Sequence, residues 1–284
     1  MKLAQRIAIG YYKTKFKTLA LLSPRKAAEA AFVLFCTPYS GKPKREVPAA
    51  FHKATPVHFI LDQQTVRGWK WQSQHPNGKK VLIAHGFDSC SYKFDKYVPA
   101  LLHEGFEVLA FDAPGHGTSD GKLLNVLIYR NMLWEVNKQF GPLYSIMAHS
   151  IGGLAAALAA EQLPGLSKLV LIAPATETSS AVTDFAKLVG LSPEVKKELE
   201  EVIIHLGQLP ISYYSVSRVI PNISTPTLWL HDEDDRICPY SDVKPVQEAN
   251  PPHTRFSITK GLGHNKIYRD AKVMKEIISF FTIS

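Results

Sequence analysis

The amino-acid sequence predicts an α/β fold in which a mostly parallel, eight-stranded sheet is flanked by helices. Three observations support this fold class. Short strand-forming runs alternate with longer helix-forming segments along most of the chain, which is the order that builds a parallel sheet. Some runs, such as Val81–Ala84, are apolar throughout and suit strands buried on both faces. Polar, glycine-rich motifs follow several of these runs, where the carboxyl ends of parallel strands form a site.

The length and composition predict one large domain with an insertion. The chain has 284 residues, of which 45% are hydrophobic and 20% are charged, as is typical of a globular protein. No apolar run approaches about 18 residues, so no transmembrane helix is predicted. The three cysteines are an odd number, widely spaced and without a Cys-x-x-Cys pair. They predict free thiols in a reducing, cytoplasmic compartment.

Residues 1–50 are predicted to form a basic helical arm. They contain ten Lys or Arg residues against two Glu, so this segment carries the whole net charge of +8. Residues 1–22 mix these charges with aliphatic and aromatic side chains and predict an amphipathic helix, which could lie on acidic lipid, on a partner or on the chain itself. We expect packing on the chain itself rather than contact with a membrane surface. Ser23 and Pro24 begin a second helix, and residues 40–48 form a polar connector.

From residue 51 the chain begins with two paired strands and continues as alternating strands and helices. Residues 175–224 interrupt this alternation with two helical segments, and a segment of this length is too long for a plain loop between strands. We therefore predict a core of residues 51–174 and 225–284 and a small helical cap of residues 175–224. The predicted strands are Val57–Leu61, Val66–Trp71, Val81–Ala84, Phe106–Phe111, Leu143–Met147, Lys168–Ala173, Pro226–Leu230 and Thr254–Ile258. The predicted helices of the core are Tyr92–His103, Leu124–Phe140, Ile151–Leu163, Tyr240–Asn250 and Arg269–Phe281.

The sequence around Ser150 predicts a nucleophile. Strand formers at Leu143–Met147 precede it and strong helix formers follow it, while Ala148 and Gly152 supply small residues two before and two after the serine. Such a turn lifts the serine hydroxyl clear of the sheet, and the following helix directs its first N–H groups at the reaction centre. The alternative is an ordinary N-cap serine at a glycine-rich turn. We expect the neighbouring His149 side chain to point away from the site.

Further polar motifs follow other predicted strands. They begin at His85-Gly86-Phe87-Asp88, Asp112-Ala113-Pro114-Gly115-His116, His231-Asp232-Glu233-Asp234-Asp235 and Gly261-Leu262-Gly263-His264. Together with the Ser150 turn, these motifs resemble the α/β-hydrolase superfamily over about residues 55–282. They are most similar to its bacterial, cap-bearing, esterase-like members. The sequence departs from the usual pattern at Ala148, where Gly is commoner.

The resemblance implies a Ser-His-Asp triad. The superfamily orders its triad as Ser, then acid, then His along the chain, and Ser150, an acid within residues 232–235, and His264 obey that order. Asp235 matches the family position of the acid, with Asp232 and Asp234 as alternatives. His264 follows the last core strand in a Gly-x-Gly-His turn. The oxyanion-hole donors implied by the resemblance are the backbone N–H groups of Phe87 and Ile151.

These motifs predict a serine hydrolase that cleaves an ester-like acyl substrate through an acyl-enzyme. Thioesterase, lactonase, peptidase and carbon–carbon bond hydrolase activities remain alternatives, because the fold does not choose among them. An alternative of another class is a non-catalytic binding protein that retained the fold. The predicted partner is a small-molecule acyl substrate, with no nucleic acid, no cofactor and no metal, and the oligomeric state is left open. The cap residues that could contact the substrate are Phe185, Tyr213 and Tyr214.

Overall fold

A computed structural model of the chain describes residues 3–39 and 46–283. The chain divides into two compact units. Unit 1 comprises Met1–Thr37 and Glu177–Tyr214, and unit 2 comprises Pro38–Thr176 and Ser215–Ser284. Most of the predicted connector, residues 40–45, lies outside the described residues.

Unit 2 is built on one eight-stranded sheet. The strands are β1 (Thr55–Leu61), β2 (Gln64–Trp71), β3 (Lys80–Ala84), β4 (Glu107–Phe111), β5 (Ser145–His149), β6 (Lys168–Ile172), β7 (Thr227–Asp232) and β8 (Thr254–Thr259). Their order across the sheet is β1-β2-β4-β3-β5-β6-β7-β8. The β1–β2 and β2–β4 pairs are antiparallel, and the other neighbouring pairs are parallel. The predicted fold class is therefore confirmed.

Helices connect these strands and also make up unit 1. In chain order they are α1 (Leu3–Leu22), α2 (Pro24–Phe35), α3 (Tyr97–His103), α4 (Val126–Phe140), α5 (Ile151–Ala160), α6 (Thr178–Val189), α7 (Pro193–Gly207), α8 (Val216–Val219), α9 (Tyr240–Glu248), α10 (Gly263–Lys266) and α11 (Ala271–Thr282). Helix α4 begins two residues later than predicted because the Asn125 side chain caps it, accepting a hydrogen bond from the Ile128 N–H.

The middle of the sheet is buried on both faces. Every residue of β5, β6 and β7 is buried, which explains why their sequences lack the polar alternation of a half-exposed strand. Two of these strands extend beyond their predicted ends. β7 continues through His231 and Asp232, and β5 continues to His149, so three polar residues lie on buried strand. The apolar pattern marked only the part of each strand that precedes the site.

Unit 1 is a helical body assembled from two distant segments of the chain. Its apolar core includes Phe16 from α1, Ala28 from α2, Phe185 from α6 and Leu199 from α7. The rings of Phe35 and Phe185 lie 5.1 Å apart between centroids. The sequence predicts the four helices, but it does not predict that the basic arm and the insertion share one core. The division of these segments into an arm and a cap stays a prediction.

Candidate active site

Ser150 lies at a strained turn between β5 and α5. Its φ of 57° and ψ of −125° fall where residues with a side chain are rarely found. The turn is held by the Ser150 N–H, which donates to the Ile172 carbonyl at 3.1 Å, and by the Ala175 N–H, which donates to the Ser150 carbonyl at 3.1 Å. A Cβ at position 152 would lie 2.5 Å from the His85 carbonyl oxygen, so Gly152 is required there. This is the geometry of a nucleophile elbow.

The loop that follows β3 lies against Ser150. A Cβ at Gly86 would come within 3.0 Å of the Ser150 Cβ and 2.7 Å of His149 Nδ1, so the approach requires glycine. His85 fixes this loop. Its Nε2 accepts a hydrogen bond from the Ala113 N–H at 2.9 Å, and its Nδ1–H donates to the Gly86 carbonyl at 2.8 Å. Burial lowers the pKa of His85, which favours the neutral ring that this donor–acceptor arrangement needs.

The two N–H groups implied as oxyanion donors adjoin these contacts. Phe87 directly follows Gly86, and Ile151 is the first residue of α5, where an N–H has no partner within the helix. Among the residues that the structure describes, neither N–H donates a hydrogen bond to another group. Both are therefore available to an oxygen that develops negative charge.

His264 and Asp235 form a buried pair. His264 Nδ1 lies 2.7 Å from Asp235 Oδ2, and the two residues are only 8% and 5% exposed. A carboxylate accepts hydrogen bonds, so the proton of the neutral imidazole lies on Nδ1 and Nε2 is left as the basic nitrogen. The other carboxylate oxygen, Oδ1, accepts from the N–H groups of Ile237 and Cys238 at 2.8 and 2.9 Å.

The environment of Asp235 favours its ionised form. Burial alone would raise the pKa of this carboxyl group, but the hydrogen bond from His264 and those from the Cys238 and Ile237 N–H groups offset that effect. The pKa of Asp235 therefore lies below its ordinary value. At neutral pH the carboxylate is ionised and can orient the imidazole.

The alternative acids, Asp232 and Asp234, hold the loop that carries His264. Asp232 Oδ2 accepts hydrogen bonds from the Thr259 hydroxyl at 2.7 Å and the Leu262 N–H at 3.0 Å. Asp234 Oδ2 accepts from the Gly261 N–H at 3.1 Å. Of these three carboxylates, Asp235 is the one that contacts the imidazole, while the other two support its loop.

Two contacts join the Ser150 turn to the acid and histidine loops. The His149 Nε2–H donates to the His264 carbonyl at 3.0 Å, and the two imidazole rings lie 4.6 Å apart between centroids. On the acid loop, the Cys238 side chain lies beside that of Ser150, and the Cys238 N–H donates to Asp235 Oδ1. The turn that carries the serine and the loops that carry the acid and the histidine thus meet at the carboxyl ends of β5, β7 and β8.

The expectation that His149 points away from the site is wrong. Its ring is 3% exposed and lies among the rings of Phe94, His264 and Tyr268. Burial, together with the charge that His264 can carry, lowers the pKa of His149 to about 3, so this ring is neutral. Within the described part of the chain its Nδ1 is buried without a hydrogen-bond partner. One feature of the sequence could have indicated this burial. His149 follows directly on the apolar residues of a strand that is buried on both faces.

A second polar loop, Asp112 to Ser119, lies beside the first. His116 braces it, with its Nδ1–H donating to the Pro114 carbonyl at 3.0 Å and its Nε2 accepting from the Asp88 N–H at 3.1 Å. Burial lowers the pKa of His116 to about 4. The His116 ring lies 5.4 Å from the Phe87 ring between centroids, so the two loops support each other.

The three side chains predicted to contact substrate belong to unit 1. Phe185 is buried in the apolar core of that unit. Tyr214 is also buried, and its hydroxyl donates to the Gly207 carbonyl at 2.8 Å. Tyr213 is half-buried, with its ring 5.5 Å from that of Tyr214. Phe185 and Tyr214 therefore stabilise unit 1, and a role in substrate binding stays a prediction for all three.

Residues 3–39 and 46–283 contain no metal-binding cluster, disulfide bond or membrane-spanning helix. No group of three or more His, Cys, Asp or Glu side chains in these ranges is arranged to hold a metal ion. The cysteines Cys36, Cys90 and Cys238 are buried and form no disulfide bond with one another. No helix within the same ranges is long and apolar enough to span a bilayer.

Sequence comparison relates the chain to known hydrolases. Residues 75–203 match the family described as serine aminopeptidase, S33. The chain is 23% identical over 255 residues to the monoglyceride lipase of Rattus norvegicus. This alignment covers 75% of this chain and 84% of the lipase. It is 22% identical over 263 residues to the monoglyceride lipase homolog of Monkeypox virus. This alignment covers 79% of this chain and 95% of the viral protein.

Structural comparison shows the same fold in other hydrolases. An esterase from Pyrococcus furiosus superposes with a TM-score of 0.62 at 20% identity, covering 85% of this chain and 95% of the esterase. Alpha/beta hydrolase domain-containing protein 10 from mouse superposes with a TM-score of 0.61 at 18% identity. The superposition covers 80% of this chain and 96% of the mouse chain. At these identities the likeness concerns the fold alone.

Proposed function

The chain belongs to the α/β-hydrolase superfamily and has esterase-like relatives, and from this premise we propose that it is a serine hydrolase that cleaves a carboxylic ester through an acyl-enzyme. One observation carries the proposal. The Ser150 elbow, the buried His264–Asp235 pair and two N–H groups with no other partner in the described chain gather at one edge of the sheet. Each component supplies a group that acyl transfer needs.

In the proposed reaction Ser150 Oγ attacks the ester carbonyl carbon while His264 Nε2 takes the hydroxyl proton. Asp235 holds the imidazole in the productive tautomer and stabilises the imidazolium that forms. When the tetrahedral intermediate collapses, the carbon–oxygen bond to the alcohol breaks and the alcohol leaves with the proton from His264. Water, deprotonated by the same imidazole, then attacks the acyl-enzyme, which releases the acid and restores the serine.

The N–H groups of Phe87 and Ile151 are proposed to bind the oxyanion in both steps. One such donor contributes roughly 3 kcal/mol of transition-state stabilisation. The N-terminus of α5 adds a favourable dipole at the same place. Because the backbone supplies the donors, the side chains at these two positions are free to vary without loss of the chemistry.

Monoacylglycerols are the first substrate class to test, because the monoglyceride lipases align over most of both chains. A peptide or amide substrate is the second candidate, favoured by the match to the family described as serine aminopeptidase. Cleavage of a thioester, a lactone or a carbon–carbon bond would use the same serine, histidine and acid, so these reactions are the remaining candidates.

A covalent probe tests the proposal directly. We expect a fluorophosphonate to label the wild-type protein and Ser145→Ala, but not Ser150→Ala. Ser145 is the matched control because it lies on the same strand and its buried hydroxyl has no hydrogen-bond partner in the described chain. Absence of labelling in a well-folded protein would contradict the proposal and favour a non-catalytic binding protein.

Turnover then identifies the bond. The panel comprises p-nitrophenyl esters of graded chain length, a monoacylglycerol, an acyl thioester and an aminoacyl p-nitroanilide. We expect the esters to be hydrolysed fastest, with all turnover lost in Ser150→Ala. A preference for the p-nitroanilide would replace the esterase proposal with the aminopeptidase.

A further inference from the structure

Helix α1 presents an apolar surface that its own unit does not cover. The exposed α1 stripe comprises Leu3, Ile7, Tyr11, Leu21 and Leu22, whose exposures range from 61% to 82%. Leu3, Ile7 and Tyr11 recur every four residues, which places them on one side of a helix with about 3.6 residues per turn. The stripe has two apolar groups, Leu3 to Tyr11 and Leu21 to Leu22, with the exposed Thr14 and Thr18 between them. Large apolar side chains exposed on one side of a helix are typical of an interaction surface.

The stripe differs from the face through which α1 packs in unit 1. That packed face is formed by Phe16, which is buried, and by Tyr12 and Leu19, which are half-buried and contact the same core. The helix therefore has two apolar faces, one for its own unit and one turned to solvent. Intramolecular packing, which the sequence favours, accounts for the first face and leaves the second without a partner.

Basic side chains border the exposed α1 stripe. At about 3.6 residues per turn, Arg6, Lys13 and Lys17 lie along one edge and Lys15 lies along the other. All four are exposed, and none forms an ion pair with a carboxylate of the described residues. The chain has no Asp or Glu before Glu29. The surface is thus an apolar strip between uncompensated positive charges.

We propose that α1 docks this protein on an anionic phospholipid surface. The exposed α1 stripe would enter the boundary between headgroups and acyl chains, and the four cations would pair with lipid phosphates. The helix has 20 residues, so about 30 Å of it can lie along the surface. Since it is not apolar enough to cross a bilayer, it lies on the membrane plane.

The charge distribution favours lipid over other occupants. Two copies of the stripe packed together would bring their rows of cations side by side without acidic residues to neutralise them, which is unfavourable. A nucleic acid would satisfy the cations but leave Leu3, Ile7 and Leu21 facing phosphates and water. An anionic membrane accepts both components of the surface.

This docking goes beyond the proposed hydrolysis and does not depend on it. If the proposed function also holds, docking brings the chain to the phase in which long-chain monoacylglycerols dissolve.

Vesicle sedimentation with the full chain tests the proposal. We expect the protein to sediment with vesicles of equal phosphatidylcholine and phosphatidylglycerol, and to stay in solution with pure phosphatidylcholine. Lys13→Gln/Lys17→Gln should lower the partition coefficient about tenfold or more. Ile7→Ser/Tyr11→Ser should lower it by a similar factor through the lost apolar insertion. Because these side chains are exposed, neither pair should shift the melting temperature.

Matched variants elsewhere in unit 1 test whether binding depends on α1 itself or only on the charge and hydrophobicity of the protein surface. Lys187→Gln/Lys197→Gln removes the same charge from α6 and α7, and Leu188→Ser/Leu206→Ser removes exposed apolar groups from the same helices. Both controls should sediment like wild type. Equal losses in the controls would overturn the docking role of α1.

Other results would also overturn it. One is a wild-type protein that ignores anionic vesicles. Another is a dimer in solution that Ile7→Ser/Tyr11→Ser dissociates, and a third is binding of a DNA duplex in preference to vesicles. Hydrolysis of soluble p-nitrophenyl acetate, read in the same samples, separates the two proposals. Turnover without sedimentation contradicts docking alone, and sedimentation without turnover contradicts the hydrolase alone.

Discussion

The two units bury different kinds of side chain. In unit 2 the buried residues include charged and polar groups such as His85, Asp112, Ser150, Asp235 and His264. In unit 1 the described residues include no buried His, Ser, Thr, Asp, Glu or Lys. Burying a polar group is costly unless it is hydrogen-bonded, and in unit 2 these five residues follow the carboxyl ends of β3, β4, β5, β7 and β8. Unit 2 therefore holds polar side chains in its interior, whereas unit 1 presents its charged side chains at its surface.

The largest expected effect of this difference comes from Ser150→Ala. We expect kcat for a p-nitrophenyl ester to fall by about 10⁶-fold, because the proposed nucleophile is removed. The melting temperature, measured by circular dichroism, should not fall, since the hydroxyl is not part of the apolar core. Residual turnover above one hundredth of wild type would show that another group is the nucleophile.

Asp235→Asn is expected to have the next largest effect. An amide in place of the carboxylate favours the wrong imidazole tautomer and leaves the imidazolium unstabilised, so kcat should fall by about 10⁴-fold. Asp234→Asn is the matched control, because Asp234 contacts the same loop through the Gly261 N–H but not the imidazole. A greater loss in the control would move the catalytic acid to Asp234.

Phe16→Ala should act on stability. Phe16 is 2% exposed in the core of unit 1, and truncating such a ring costs about 3–5 kcal/mol of unfolding free energy. Urea denaturation followed by circular dichroism measures the change. Tyr11→Ala, on the exposed face of the same helix, should change it by less than about 0.5 kcal/mol. Similar values for the two variants would mean that α1 packs through the other face.

His149 offers a smaller and more specific test. Its Nε2–H holds the His264 carbonyl, so His149→Phe should lower kcat about tenfold to a hundredfold through misplacement of the base, with little change in KM. His149→Gln keeps a donor and should restore much of the loss. The pH dependence of kcat near neutrality should be unchanged, because the pKa of His149 lies at about 3. An altered profile would give His149 a direct role in proton transfer.

The smallest expected effect is on acid stability. The pKa of His149 is lowered from 6.5 to about 3 in the folded chain, so between these values the unfolded chain binds more protons. The free energy of unfolding therefore falls as pH decreases through that window. His149→Phe should flatten this slope by on the order of 1–2 kcal/mol between pH 7 and 5, measured by urea denaturation. The exposed His75→Phe is the control, and an unchanged slope in His149→Phe would contradict the burial argument.

Much of unit 2 was predictable because its signals are local. The apolar run at Val81–Ala84 and the glycine-rich turns each depend on a few adjacent residues, and they place Ser150 and His264 at strand ends. The choice of Asp235 among the acids of residues 232–235 came from the family resemblance. The contact of His149 with the His264 carbonyl was not predictable in this way. It joins residues 115 positions apart in the sequence, and no local pattern records which way a histidine on a fully buried strand is turned.

Unit 1 was predictable in its helices and not in its assembly. Ser23 and Ser192 each precede a proline and cap α2 and α7, which is a signal contained in two residues. The shared core of Phe16 and Phe185 depends instead on apolar faces that could have packed elsewhere. A hydrophobic stripe indicates that one face of a helix packs against another element, but it does not indicate which element that is.

The backbone at residue 150 also has an evolutionary consequence. A serine held at φ 57° costs on the order of 1 kcal/mol or more relative to a residue without a β-carbon. Glycine would relax the turn and make the chain more robust, yet it would remove the hydroxyl that we propose as the nucleophile. Selection for thermal endurance alone would therefore favour glycine at this position, and a serine held here is expected where its hydroxyl serves the proposed turnover.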